Sequence, residues 1–171
     1  LAVLPAGGSE GSPLGELLAP SGVPVVTLPT TAPTRSNVTL VEPDGTPTTI
    51  NEPGPELTPA ESQAVVDRLV TVAGGSDWVV LCGSLPRGVP NDFYATLTER
   101  LHDLGIRVAL DTSGPALAAA MPAGPDLIKP NVEELAELTG ATLRTWADVA
   151  EQAERLRSQD VASVLVSLGA D

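Results

Sequence analysis

Short apolar runs alternate with segments of helical period along most of this chain. Residues 2–4, 23–28, 78–81, 106–110, 127–128 and 164–166 are apolar nearly throughout, the signature of strands buried in a parallel sheet. The segments between them repeat apolar residues every three or four positions. They are the stretch 14–18, the set Val65, Leu69 and Val72, the set Phe93, Leu97, Leu101 and Leu104, the stretch 116–121, the set Val132, Leu135 and Leu138, and a helix reaching Leu156. Thr58-Pro59-Ala60-Glu61 reads as a capping box with proline at the first helical position. Thr145-Trp146-Ala147-Asp148 reads as another helix start, and Gly105 and Gly140 as helix ends. The alternation predicts an α/β fold: a mostly parallel sheet with helices on both faces. One stretch departs from it. Residues 36–42 and 46–50 alternate in polarity around Pro43-Asp44-Gly45, which predicts a β-hairpin. Residues 51–57 read as a loop, and no internal repeat is evident.

Composition narrows the class. The 171 residues suffice for one domain or a large piece of one. Hydrophobic residues make up 42% but aromatics only 2%, so the core must be built from Val, Leu, Ile and Ala. A net charge of −13 argues against a nucleic-acid partner, whose phosphates demand a basic surface. The single cysteine, Cys82, rules out an internal disulfide and suits a reducing cytoplasm. No run reaches the length of a membrane span, and the first residues lack the basic region of a signal peptide. Both ends read as cut within a larger fold. His102, the only histidine, lies on a helix and is expected at the surface, which leaves no histidine-based triad or His-rich metal site. No Walker A pattern, dinucleotide glycine fingerprint or G-x-S-x-G elbow occurs.

Chemistry is expected at the carboxyl ends of the strands, where open α/β sheets bind ligands. Lys129 is the only lysine in a chain that otherwise uses arginine, and it follows the strand at 127–128. A lysine offers a compact, mobile charge suited to a phosphate oxygen, where arginine offers a planar fork. Pro130 stops the strand and Asn131 can cap the helix that follows. Glu134 shares the first helical turn with Asn131 and has two readings: it orders magnesium-bound water, or it only complements the helix dipole. Cys82-Gly83-Ser84-Leu85-Pro86-Arg87-Gly88 is either an anion-holding turn built on Ser84 and backbone N–H groups or an ordinary Gly/Pro turn. Asp111 either orients a ligand or caps a helix. Ser167-Leu168-Gly169-Ala170-Asp171 is a small-residue turn against which a nucleotide could lie.

Six stretches, in this order, resemble the phosphofructokinase B (ribokinase-like) sugar kinase family, most closely bacterial 1-phosphofructokinases and tagatose-6-phosphate kinases. They are Thr34-Arg35-Ser36-Asn37-Val38-Thr39, Asn51-Glu52-Pro53-Gly54, Gly83-Ser84-Leu85-Pro86, Leu110-Asp111-Thr112-Ser113-Gly114, Leu127-Ile128-Lys129-Pro130-Asn131 with Glu134-Leu135, and Ser167-Leu168-Gly169-Ala170-Asp171. The resemblance implies that residues 1–171 are part of a ribokinase-like kinase domain, with 34–52 adding a hairpin to a small β lid. It implies ATP-dependent phosphorylation of fructose 1-phosphate to fructose 1,6-bisphosphate, with ATP and magnesium as partners and a homodimer formed through the lid. By the same resemblance Arg35 and Ser84 hold the sugar's phosphate and Asn37 lies against the sugar. Lys129 and Asn131 approach the nucleotide phosphates. Ser167, Gly169, Ala170 and Asp171 line the nucleotide site, and Glu134 acts on magnesium indirectly.

Two departures from the family pattern shape the expectation. The family's catalytic aspartate, in a Gly-Ala-Gly-Asp-like motif, is expected beyond Asp171, and the N-terminal sugar-binding motif before residue 1. The parent protein is therefore expected to be the kinase and these residues alone to be inactive. Tagatose 6-phosphate or a nucleoside remains open as substrate, as does a non-catalytic nucleotide-binding module. Arg35 favours a phosphorylated sugar, because a neutral one gives the cation no partner.

Overall fold

The computed structural model describes residues 1–159 and 161–168. They form two compact units. The first holds Leu1–Leu69 with Pro86–Val89, the second Val70–Leu85 with the described residues from Pro90 onward.

In the first unit β1 (Ala2–Ala6) pairs in parallel with β2 (Val25–Pro29). Two short helices, α1 (Gly8–Gly11) and α2 (Leu14–Leu18), and a 3-10 turn at Ala19–Ser21 make the crossover. The expected hairpin is present: β3 (Asn37–Val41) runs antiparallel to β4 (Pro47–Asn51). Its tip is closed by Gly45, whose φ of +89° suits glycine, and by an Asp44 Oδ1 that accepts from Thr46 N–H at 2.9 Å. Every residue of both strands is exposed.

Helix α3 (Pro59–Ala73) starts in this unit with the predicted capping box. Glu61 Oε2 accepts from Thr58 N–H and Thr58 Oγ1, both at 2.8 Å, and Thr58 Oγ1 accepts from Glu61 N–H at 3.2 Å. The other carboxylate oxygen accepts from Thr31 N–H at 2.6 Å, a tie that the local motif could not foretell. The buried stripe of α3 is Ser62, Val66 and Ala73, whereas Val65, Leu69 and Val72 are only half-buried. The sequence reading had the helix right but rotated its face by one residue.

The second unit is a four-stranded, all-parallel sheet in the order β5 (Trp78–Cys82), β6 (Arg107–Asp111), β7 (Leu127–Ile128), β8 (Ser163–Val164). Its helices are α4 (Phe93–Asp103), α5 (Gly114–Ala120), α6 (Val132–Thr139) and α7 (Trp146–Gln159). Leu97, Leu101, Val108, Leu110, Leu117, Ile128 and Leu135 form an almost solvent-free aliphatic core, as the scarcity of aromatics requires. On α4 the buried stripe is Tyr94, Leu97, Thr98 and Leu101; Leu104 is exposed because it already belongs to the cap. Strand β5 is not apolar on both faces in effect: Leu81 is buried, but Trp78, Val80 and Cys82 are exposed. The Arg107 guanidinium covers the Trp78 ring at 4.5 Å. His102 is exposed, as expected, with Nε2 at 3.0 Å from Asp126 Oδ2, an oxygen that also accepts from Val108 N–H at 2.8 Å. The last strand is shorter than 164–166, since regular pairing covers only Ser163 and Val164.

The Thr31 and Thr58 donors hold the Glu61 carboxyl down at about pKa 2, from an ordinary 4.5. A depressed acid contributes stability that is complete above its unfolded pKa and is lost as pH falls through its folded one. Glu61→Gln is therefore expected to melt below the wild-type protein at pH 7. The gap in melting temperature should close between pH 4.5 and about 2. Melting curves across that range check it.

Candidate functional site

The carboxyl ends of three neighbouring strands meet in the second unit. The registers Cys82↔Asp111 and Leu110↔Ile128 set the ends of β5, β6 and β7 side by side. Beyond the regular ladder the backbone bonds continue: Gly83 N–H to Asp111 O at 2.9 Å, Lys129 N–H to Leu110 O at 3.0 Å, and Ser167 N–H to Pro130 O at 3.0 Å. Ser167 also bridges Asn131 in parallel. The structure thus brings Lys129, Asn131 and Ser167 together, as the sequence had grouped them.

Lys129 Nζ lies 3.1 Å from Asp111 Oδ2. Asp111 thus pairs with the only lysine and does not cap the next helix. The N-cap of α5 is Ser113, which makes no side-chain capping bond. Both partners are more than a third exposed, so the pair contributes on the order of 0–1 kcal/mol and matters for where it holds the ammonium.

At the start of α6, Asn131 Oδ1 accepts from Glu134 N–H and Glu134 Oε2 accepts from Asn131 N–H, both at 2.8 Å. This is a complete capping box. Glu134 therefore does serve the helix. One N–H occupies only part of a carboxylate's accepting capacity, so a second role stays chemically open. Among the described residues no cluster of three or more His, Cys, Asp or Glu could hold a metal ion.

Ser84 follows a backbone turn at Gly83, whose φ is +101°. The Gly83 carbonyl accepts from Tyr94 Oη and from Thr112 Oγ1, each at 2.9 Å, and Tyr94 Oη also reaches the Cys82 carbonyl at 3.2 Å. Tyr94 and Thr112 are both buried. Burial, with Cys82 and Asp111 nearby, pushes the Tyr94 phenol up to about 12, so it remains a donor at neutral pH. Sequence reasoning missed Tyr94, and it included Thr112 only within the stretch Leu110–Gly114, without a role. The one available signal was that Tyr94 is the only tyrosine in a chain poor in aromatics.

Arg35 and Asn37 lie in the first unit. There the Gly7 loop clasps Thr34: Gly7 N–H donates to Thr34 Oγ1 at 3.0 Å, and Thr34 N–H to Gly7 O at 2.8 Å. A side chain on Gly7 would strike the Thr30 and Ala32 carbonyls, so only glycine fits. Arg35 follows at once and runs beside Gly54, while Ser36 N–H donates to Glu52 Oε2 at 2.9 Å. Two of the family-like stretches, 34–39 and 51–54, are thereby joined. Asn37 opens β3 opposite Asn51. Ser84 lies in the second unit. Gly169, Ala170 and Asp171 lie outside the described residues.

Comparison with known proteins now bears on the site. The model of the pfkB family carbohydrate kinases matches residues 1–171. This chain belongs to the pfkB family. It is 47% identical over 139 residues to the 1-phosphofructokinase of Rhodobacter capsulatus, covering 80% of this chain and 44% of that protein. It is 40% identical over 138 residues to that of Escherichia coli strain K12, covering 81% of this chain and 44% of the relative. The crystal structure of E. coli phosphofructokinase-2 in complex with fructose-6-phosphate superposes with a TM-score of 0.89 at 35% identity, over 98% of this chain and 56% of that one. The pfkB chain described here thus spans less than half the length of these curated relatives. The α/β fold with a parallel sheet agrees with the sequence expectation. No helix among the described residues is long and apolar enough to cross a membrane.

The capping box gives a direct test of the geometry. Asn131→Ala leaves the Glu134 amide without its acceptor and should cost about 1 kcal/mol of stability. Glu134→Gln keeps an acceptor at the same reach and should cost less. Urea unfolding of both variants checks the order.

Proposed function

We propose that a chain carrying this sequence and spanning the relatives' length, the full-length protein hereafter, transfers phosphate from ATP to a sugar phosphate. The substrate is fructose 1-phosphate and the product fructose 1,6-bisphosphate. The observation that carries this reading is the 47% identity to a 1-phosphofructokinase over 139 residues. Phosphoryl transfer asks a protein mainly for positioning and charge neutralisation, and these residues supply both. Arg35 and Ser84 are assigned to the sugar's phosphate and Asn37 to the sugar. Lys129, Asn131 and Ser167 are assigned to the nucleotide, together with Gly169, Ala170 and Asp171. Magnesium, when bound with ATP, would spread the charge of the phosphates, and Glu134 would orient its water. The base that takes the hydroxyl proton is assigned to a residue outside these 171, which alone are expected to be inactive. The action is assigned to the cytoplasm.

The hairpin is assigned to a lid and to a homodimer formed through it. Val38, Leu40 and Ile50 support this, because they share one exposed face of a two-stranded hairpin that has little stability of its own.

A coupled assay of ADP release by the full-length protein tests the substrate. Fructose 1-phosphate, tagatose 6-phosphate, fructose 6-phosphate and a nucleoside are compared, and fructose 1-phosphate is expected to give the highest kcat/KM. Arg35→Ala removes a charge-assisted hydrogen bond of about 1.5–3 kcal/mol and should raise KM for the phosphosugar with little change in KM for ATP. If KM for both substrates stays within about twofold of wild type, a difference too small for such a bond, Arg35 is no phosphate ligand.

Glu134→Gln keeps the helix cap and removes the charge. The full-length variant should need more magnesium for half-maximal rate while its melting temperature hardly moves. An unchanged magnesium titration beside a lowered melting temperature would limit Glu134 to the cap.

A further inference from the structure

We propose that Tyr94 and Thr112 are positioning residues that fix the Gly83–Ser84 peptide so that its N–H faces the phosphosugar's phosphate. The inference rests on the assignment of Ser84 to that phosphate and names two residues which act on it only through the backbone.

The carbonyl of Gly83 and the N–H of Ser84 belong to one trans peptide and point in opposite directions. Whatever holds the carbonyl therefore aims the N–H. Here two buried hydroxyls, Tyr94 Oη and Thr112 Oγ1, both lie 2.9 Å from the Gly83 carbonyl, which has a lone pair for each; the one Tyr94 proton is directed to this nearer carbonyl, with that of Cys82 at 3.2 Å. The Ser84 N–H is then directed away from them, on the side where Ser84 is exposed. The other half of the turn is fixed as well. Gly83 N–H is bound to Asp111 O at 2.9 Å, while the φ of +101° is one that glycine reaches without steric cost. Glycine alone would leave this peptide free to rotate, so the rigidity must come from the two hydroxyls. Their anchors are firm. Tyr94 sits in the first turn of α4 against the core, and Thr112 is the residue after β6.

A backbone donor fixed in this way gains more from a dianionic phosphate monoester than from a neutral hydroxyl, which is the weaker acceptor. It gains nothing from ATP bound at the neighbouring strand ends. The consequence is a split between the two substrates.

The test uses the full-length protein with fructose 1-phosphate and ATP. Tyr94→Phe and Thr112→Val each keep side-chain shape and remove one donor. Each should raise KM for the phosphosugar several-fold, and the double variant by about tenfold or more, the order of an ordinary hydrogen bond. KM for ATP should stay within about twofold, below the loss of such a bond. Thr112→Ser restores a hydroxyl and should recover most of the loss. Equal rises in both KM values that follow a falling melting temperature, without recovery in Thr112→Ser, would overturn the inference and leave the two residues as ordinary core. Ser84→Ala and Arg35→Ala separate the premises. If these raise KM for the phosphosugar while Tyr94→Phe and Thr112→Val do not, the site reading stands and the positioning role fails. If all four leave it unchanged, both fail. Should the double variant not fold, the two single variants and Thr112→Ser decide the question alone.

Discussion

Backbone groups that run past the end of a β ladder must still find partners, and the second unit is organised around that demand. Its parallel strands stop at Cys82, Asp111, Ile128 and Val164, yet the bonds go on: Gly83 to Asp111, Lys129 to Leu110, Ser167 to Pro130. Each continuing bond holds one residue just beyond a strand, where the chain is neither sheet nor helix. Those residues, or their immediate neighbours, are the ones the family resemblance had marked. The site is thus a by-product of how the ladder ends. Two of its devices, the hydroxyls on Gly83 and the capping box at Asn131, are partners for peptide groups that the ladder and the helix leave over.

Charge imposes a second constraint. A chain of net charge −13 repels phosphates at long range, and its acid excess cannot select an anionic substrate. Screening at physiological salt limits that repulsion to about 8 Å. In the proposed kinase recognition would fall to individual donors: in the second unit a lysine held by an acid and oriented amides, and in the first an arginine on the loop before β3. Lys129 beside Asp111 is a cation whose position is set before any phosphate arrives. A phosphate approaching Lys129 has to compete with that carboxylate, so the pair tunes how strongly the ammonium is given to the ligand.

The strands, most helices and the hairpin were legible in the sequence because each rests on a local signal. The Asp44-Gly45 tip, the Thr58 and Thr145 helix starts and the terminal glycines state their geometry within a few residues. What was not legible depends on partners far along the chain. Glu61 reaches back to Thr31, Tyr94 reaches to Gly83, and Asp111 reaches Lys129, and no window of sequence shows these pairs. The rotated face of α3 and the exposed Leu104 have the same origin. Periodicity says that a helix has an apolar stripe, but neighbours decide which of two adjacent stripes is covered. The family-like stretches did identify Lys129, Asn131, Glu134 and Ser84 as a group worth following. Tyr94 escaped because its contribution is a single hydroxyl, and its setting, Phe93-Tyr94-Ala95, looks like any helix start.

Glu134 shows why a structural role and a binding role need not compete. Orienting a bound cation's water demands a carboxylate whose rotamer is already fixed, since ordering a long side chain on binding costs free energy that would weaken the interaction. The capping box supplies that order in advance: Asn131 N–H holds Oε2 at 2.8 Å, and the helix that it caps is anchored by the buried Leu135. The cap is thus the means by which a surface glutamate becomes a rigid one. The same logic applies at Gly83. A glycine permits the turn, which makes the peptide mobile, and two buried hydroxyls then limit that mobility in the turn proposed to meet the sugar's phosphate. In both places a bond that looks purely structural fixes the direction of the group beside it, and direction is what recognition of a phosphate requires.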